Sequence, residues 1–373
     1  MLEVADVFRL FGSAYLDRYG DSMLPSHIHA FQSILKCRTS ALGGHVYHCE
    51  TCDKDSYEYH SCQHSACPKC GGDRREKWIE ARRDEILPVR YFHLTFTVPA
   101  IIAKLTRSNQ KIMFNILFKS AWEALQTLAA DPRFVGGRVG MLAMLHTWSQ
   151  VLRFHPHLHC LVPAGGLTYF GGRWLPSNPK FLVPVKALSM KFRESFQKRM
   201  QKTDLYDQIP SKTWYDKWGI WGKIAGHGQQ DVIDYLGRYF CRVAITNSRI
   251  ERIDSETVTF RCKNREKKIW ERTTIPGTEF IRRFLQHILP KRFIKVRYYG
   301  IWHPSNRKCL NIVRKYLGEP ESKKSKSTEG VEIAQSFSES RSIPEKRLRY
   351  CRYCGSDQVV CVGTILPMKC RSP

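Results

Sequence analysis

The stretch Phe154-His-Pro-His-Leu-His-Cys-Leu-Val162 sets histidines at the alternate positions 155, 157 and 159. On a β-strand alternate residues share a face, so His155, His157 and His159 point one way while Leu158, Cys160 and Val162 point into a core. His157 and His159 are then roughly 6.6 Å apart along the strand, close enough for both imidazoles to reach one divalent ion. A polar strand face satisfies the same pattern, and the spacing alone does not choose between the two. Residues 229–242 read as a helix with Tyr235 and Tyr239 at i and i+4 on one face. At about 100° per residue, Val232, Leu236 and Phe240 form its buried stripe, and the two tyrosines run along one edge. Arg238 and Arg242 lie just beyond, ready for phosphate. Ordinary amphipathic packing accounts for that spacing too.

The cysteines suggest a different chemistry. Cys49-x-x-Cys52 and Cys67-Pro-Lys-Cys70 are two short-spaced pairs, each offering two thiolates on one knuckle. Two such knuckles complete a tetrahedral four-sulfur zinc site with no open position, which makes the metal structural. Cys37, His45, His48, His60, Cys62 and His64 lie in or beside the same segment. They either build a second zinc site or serve as structural and solvent-facing residues. Near the C-terminus, Cys351-x-x-Cys354-Gly looks like half a zinc ribbon, with Cys361 and Cys370 as irregularly spaced candidates to close it. Cys160, Cys241, Cys262 and Cys309 are isolated and read as small buried apolar residues.

The 373 residues are enough for two domains and a sizeable core. Sixty Lys and Arg against 34 Asp and Glu leave a formal charge of +26, which repels itself unless a polyanion is near. The basic residues are interleaved with Trp, Tyr and Phe along the whole chain. That favours nucleic acid over a membrane, since cations neutralise phosphates while rings stack on bases. No apolar run reaches the roughly 18 residues of a spanning helix. The opening MLEVADVFRLFG is acidic and amphipathic, so no signal peptide is expected. Clustered cysteines in a reducing compartment point to metal, and the expected location is the cytoplasm.

The elements that must carry these groups follow from periodicity. Helices are expected over 4–17, from Pro25 to about 35, over 74–86, 100–130, 185–203, 229–242 and 278–289. Strands are expected over 91–98, 140–148, 155–162, 257–262 and 293–299, with Pro- and Gly-rich loops at 163–180. Helices and strands alternate without a regular βαβ beat, which predicts an α+β fold with a largely antiparallel sheet. The expected partition is a helical and zinc-binding DNA-binding domain at 1–88, a catalytic domain at 89–317, a disordered Ser/Glu/Lys-rich linker at 318–348 and a Cys-containing tail at 349–373.

Leu94-Thr-Phe-Thr97, His157-Leu-His159 and Tyr235-x-x-x-Tyr239 resemble, in order, the three motifs of HUH endonucleases with two tyrosines. CRTSALGGHVYHCETC (37–52), LPVRYFHLTFTVP (87–99), LHTWSQVLRFHPHLHCLVPAGGL (145–167), YLGRYFCRVAITNSRI (235–250) and EFIRRFLQHILPKRFIKVRYYG (279–300) narrow the likeness. They resemble the zinc-binding rolling-circle transposases of bacterial insertion sequences. That resemblance implies an HUH-type antiparallel sheet flanked by helices behind a small zinc-binding domain. It further implies Mg²⁺ or Mn²⁺ on His157 and His159, with a third polar ligand for which His146 and Gln150 are the candidates. Tyr235 or Tyr239 is implied as the nucleophile, giving a 5′-phosphotyrosine and a free 3′-hydroxyl. The implied partner is DNA, single-stranded or locally melted, with self-association left open. Two rivals remain at this point: a plasmid replication initiator or relaxase with the same chemistry, and a non-catalytic zinc-dependent DNA-binding protein.

Overall fold

The computed structural model describes residues 1–83, 85–170, 172–239, 243–264, 267, 269–320 and 350–368, without the side chains of 71–75, 77, 227, 229, 238 and 239. In chain order the elements begin α1 (Val4–Tyr19), α2 (Pro25–Lys36), β1 (Gly44–Cys49), β2 (Lys54–Tyr59), α3 (Gly71–Arg83) and β3 (Arg90–Thr97). They continue α4 (Ala100–Ser108), α5 (Gln110–Ala129), β4 (Gly140–Trp148), β5 (Phe154–Pro163), β6 (Gly165–Leu167) and β7 (Trp174–Pro176). Then come α6 (Val185–Met200), β8 (Ile220–His227), α7 (Gly228–Tyr239), β9 (Ile250–Ile253), β10 (Thr257–Lys263) and β11 (Trp270–Pro276). The last are α8 (Gly277–Leu285), β12 (Val296–Gly300), α9 (Arg307–Tyr316) and β13 (Val359–Ile365). The fold is α+β, with antiparallel sheets flanked by helices and a cysteine-rich N-terminal module. Among the described residues no helix is long and apolar enough to cross a membrane.

Contacts divide the chain into two compact units. One holds the described residues of 74–242 and 289–320 and is built on a five-stranded sheet of order β12-β4-β5-β3-β8. Every neighbouring pair in that sheet is antiparallel. β5 sits in the middle and is buried on both faces, so it reads as apolar residues on one side and histidines on the other. Phe92, Leu94 and Phe96 of β3 and Leu158, Cys160 and Val162 of β5 pack with α5 and α6 through Phe114, Phe118, Phe192 and Phe196. α5 places Met113, Phe114, Leu117, Phe118 and Ala121 on that face at helical spacing, and the chain leaves the helix just before Pro132. Burying each such Phe or Leu contributes about 1.5–3 kcal/mol. The opposite face carries Tyr91, Leu142, Met144 and Leu161, covered by Val232, Ile233 and Leu236 of α7 and by Leu310 and Val313 of α9.

The other unit gathers the described residues of 1–73, 243–288 and 350–368. Its helices close through aromatic rings: Phe8 lies 5.0 Å from Phe31 and 5.5 Å from Phe284. Gly277 opens α8 where a Cβ would stand 2.1 Å from the Phe11 ring, so the absent side chain is what lets α1 come that close. The unit also contains a sheet of order β13-β1-β2 and another of order β11-β10-β9.

Several expectations are corrected here. The linear partition at 88 and 317 gives way to interleaved units, because α8 packs on α1 and so draws 243–288 to the N-terminal helices. The described part of the expected tail, residues 350–368, does not stand apart: β13 pairs along the whole of β1, from Gly44 opposite Ile365 to Cys49 opposite Val359. The helix expected over 100–130 breaks at Asn109, and the loop at 163–180 contains the β6–β7 hairpin. β1, β2 and β8 carry too little apolar alternation to be read as strands beforehand. Most of the expected linker, 321–348, lies outside the described residues.

β12 ends at Gly300, whose φ of +61° is left-handed and whose Cβ, if present, would stand 1.9 Å from the Val139 carbonyl oxygen. Gly318 has a similar φ of +77° but open space where a Cβ would go. Gly318→Ala is therefore expected to cost about 1–2 kcal/mol, the backbone part alone. Gly300→Ala is expected to cost clearly more, because the Val139 backbone must also move. Urea unfolding of the two variants side by side checks the difference.

Candidate active site

The register of β5 against its neighbours assembles the site. His157 stands opposite Thr97 of β3 and His146 of β4, and His159 opposite Thr95 and Met144. Cross-strand partners share a face, so His146, His157 and His159 converge. Their ligand nitrogens all lie within 4.8 Å of one another, and the Nε2 atoms of His157 and His159 are 3.1 Å apart. The His146 ring is 4.6 Å from that of His159 and 5.6 Å from that of His157. All three are buried. Two nitrogens bound to one ion at about 2.1 Å and near a right angle are about 3 Å apart, so the donors fit a shared metal. Gln150, the other candidate ligand, is half-buried in the turn between β4 and β5.

Hydrogen bonds set which nitrogen carries the lone pair. His157 Nδ1 lies 2.7 Å from the His155 carbonyl oxygen, to which it donates, leaving Nε2 its lone pair. His159 Nδ1 lies 2.8 Å from Nε2 of His93, and Thr95 Oγ1 lies 3.2 Å from the same atom. Burial, aided by the charges of Lys223 and His157, pushes the His93 imidazole down to about 3, so it is a neutral acceptor. His159 Nδ1–H donating onto it puts the lone pair of His159 on Nε2, the atom that stands 3.1 Å from His157 Nε2. His93 was not singled out from the sequence. It sits on the same face as Thr95 and Thr97, but only the register of β3 on β5 shows that this face is the histidine face.

α7 brings Tyr235 to this surface. The helix follows Gly228 (φ +84°), carries Asp231 in its first turn and buries Val232, Ile233 and Leu236. Tyr235 is only 3% exposed, and its ring centroid is 5.0 Å from that of His93. It lies inside the buried face rather than along its margin, as the helical pattern alone suggested. Tyr239 follows one turn later on the same helix. Its side chain and that of Arg238 are outside the described residues, as are Phe240 and the whole of Arg242.

The cysteines pair differently from the expected arrangement. Cys49 and Cys52 do not join Cys67 and Cys70. Instead Cys37, Cys62, Cys67 and Cys70 form one cluster, and Cys49, Cys52, Cys351 and Cys354 form another. In the first, Cys70 Sγ lies 3.4 Å from Cys37 Sγ and 3.6 Å from Cys62 Sγ. A tetrahedral zinc with bonds of about 2.3 Å needs sulfurs about 3.8 Å apart, so the set fits zinc. The expected pairing failed because Cys37 caps the end of α2 and Cys62 follows β2, so two donors distant in sequence complete the Cys67/Cys70 knuckle. Among the other cysteines, Cys160 and Cys262 are buried as expected, Cys309 is half-buried, and Cys361 is exposed. Cys241 and Cys370 lie outside the described residues.

Buried imidazoles converging from two neighbouring strands of an antiparallel sheet, in a chain with clustered thiols placed to bind zinc, mark an α+β protein with a zinc-binding module. The transposase zinc-binding domain family matches residues 7–98, and the family described as "Putative transposase" matches residues 140–309. The chain is 35% identical to "Putative transposase y4qJ" of Sinorhizobium fredii, over 99% of this chain and 98% of that one. It is 26% identical to the "Transposase for insertion sequence element IS801" of Pseudomonas savastanoi, over 76% of this chain and 71% of that one. No solved structure matches it significantly. The chain belongs to the family of zinc-binding insertion-sequence transposases, DNA-processing enzymes.

If His93 holds His159 in its metal-binding tautomer, His93→Phe is expected to weaken Mn²⁺ binding about 10- to 100-fold. His93→Gln, which keeps an acceptor at that place, is expected to restore most of the affinity. Titration followed by the Mn²⁺ electron spin resonance signal, with circular dichroism as a control for folding, measures both.

Proposed function

We propose that this transposase cuts and rejoins single DNA strands at the ends of its element through a tyrosine, in rolling-circle transposition. One observation carries the reading: the Tyr235 ring packs tilted against that of His93, centroids 5.0 Å apart, and His93 is hydrogen-bonded to His159. A phenol thus stands one imidazole away from a pair of metal-competent nitrogens, the groups that phosphoryl transfer to tyrosine needs. His157 and His159, with His146 or Gln150 as a further ligand, would hold a Mg²⁺ or Mn²⁺ ion, which when bound would polarise the scissile phosphate.

The phenol oxygen of Tyr235 or Tyr239 bonds to phosphorus as the bond from phosphorus to the 3′-oxygen breaks. The protein gains a 5′-phosphotyrosine, and the released strand end is a 3′-hydroxyl that takes up the phenol's proton. Bond energy is conserved in the phosphotyrosine, so a second strand end can reverse the step without ATP. Two tyrosines allow two covalent ends. Arg238 and Arg242 neutralise the phosphates that flank the cut.

Access decides the form of the substrate. Tyr235, His157 and His159 are at most 6% exposed, so a phosphodiester reaches them only when α7 moves off the sheet. At the sheet edge, Trp221 of β8 stands opposite Thr95 and Lys223 opposite His93, on the histidine face. The Trp221 ring is 72% exposed. An open indole beside a cation suits an unpaired base and its phosphate, which favours a single strand over a duplex.

Purified protein with a labelled single-stranded element end and Mn²⁺ is expected to form a covalent adduct that survives denaturant. The Tyr235→Phe/Tyr239→Phe variant should form none while still binding the strand. A variant that keeps full adduct formation would sink the reading, and a wild type that binds without ever forming an adduct would leave a zinc-dependent DNA binder. Trp221→Ala is expected to weaken single-strand binding by about 1–3 kcal/mol with little effect on duplex binding, as read by fluorescence anisotropy.

A further inference from the structure

Cys351 and Cys354 lie outside the matched zinc-binding segment 7–98, yet they face Cys49 and Cys52. The two pairs are built alike. In the first, the Asp53 N–H donates to the Cys49 carbonyl at 2.9 Å, and Asp53 has a left-handed φ of +55°. In the second, the Gly355 N–H donates to the Cys351 carbonyl at 2.8 Å, and Gly355 has a φ of +77°. Each is a tight turn that holds two sulfurs on one side, and the Tyr353 N–H points at Cys351 Sγ at 3.4 Å. Amide groups aimed at sulfur stabilise thiolate over thiol.

The turns meet sulfur to sulfur. Cys49 Sγ is 3.6 Å from Cys354 Sγ, and Cys52 Sγ is 3.6 Å from Cys351 Sγ. A disulfide needs about 2.05 Å, whereas sulfurs on a tetrahedral zinc are about 3.8 Å apart. Bonds between the turns fix their facing: Thr51 Oγ1 to Ser356 Oγ at 2.7 Å, and the Glu50 N–H to the Gln358 carbonyl at 3.0 Å. From there β13 runs antiparallel along β1. β13 buries almost nothing, with Val360 40% and Val362 58% exposed, so side-chain packing does not hold it in place.

We infer that Cys49, Cys52, Cys351 and Cys354 bind a second structural zinc ion, and that this ion clasps the C-terminal strand β13 onto the N-terminal module. The second ion is separate from the one that Cys37, Cys62, Cys67 and Cys70 hold. The N-terminal hairpin contributes half of the ligands and the C-terminal segment the other half. The zinc module is therefore complete only in a chain that extends through Cys354.

Elemental analysis of the full chain, purified under reducing conditions, is expected to give two zinc ions per molecule. The Cys351→Ser/Cys354→Ser variant is expected to keep one and to become sensitive to protease around residues 350–368. The Cys49→Ser/Cys52→Ser variant is expected to lose one ion and to release the same segment, although its substitutions lie some 300 residues away in sequence. Full chain reconstituted with ¹¹³Cd should show two resonances in the tetrathiolate range, a readout that does not depend on any variant folding. A single zinc and a single cadmium resonance in the wild type would overturn the inference. So would two ions retained in the Cys351→Ser/Cys354→Ser variant, or iron in place of zinc.

Discussion

The antiparallel register of β5 between β3 and β4 is the constraint on which the histidine cluster depends. It sets His157 beside His146 and Thr97, and His159 beside Thr95 and Met144. A slip of β5 by one residue would send His157 and His159 to the opposite face, away from His146 and among Phe114, Phe118 and Phe192. The apolar half of the same strand forbids that slip, because Leu158, Cys160 and Val162 would lose their core. Packing on one face thus enforces chemistry on the other. His93 is held by the same device, since β3 presents Phe92, Leu94 and Phe96 to the core and its intervening residues to the histidines.

The five-stranded sheet and the sheet of β13, β1 and β2 are stabilised by different means. The five-stranded sheet buries large aromatic and aliphatic side chains on both faces, and the hydrophobic effect suffices. The sheet formed by β13, β1 and β2 has little to bury. Fixing a residue's backbone costs about 1–2 kcal/mol, and a ladder hydrogen bond returns about 0.5–1.5 kcal/mol net. A strand such as β13 therefore falls short of stability on pairing alone. Covalent or metal cross-links are the usual way a small sheet escapes that balance, and the two cysteine clusters stand where they are needed.

The buried state of the histidines has a chemical use. Under the proposed mechanism a low-dielectric site would strengthen a metal's pull on a phosphate oxygen, and the same burial keeps His93 neutral, so that it accepts from His159. The same burial keeps the site closed while α7 is docked. α7 covers the sheet through Val232, Ile233 and Leu236 and carries Tyr235 in the same face, so uncovering the histidines and moving the tyrosine are one motion.

The local patterns were legible from the sequence. Alternating histidines in an apolar strand, tyrosines one helical turn apart and paired cysteines are short-range features, and strand and helix periodicity places each on its element. Long-range partners were not legible. Periodicity fixes which residues share a face of one strand, but it does not say which strands are neighbours or in what register, so His93 passed unnoticed beside Thr95. Thiolate spacing identifies a knuckle but not the knuckle it closes with, because any two pairs are chemically equivalent ligands. Only the folded chain sets Cys37 and Cys62 beside Cys67 and Cys70, and brings Cys351 and Cys354 back to β1. The sequence determined the donors; tertiary structure decided their partners, because distance in space is not encoded in distance along the chain.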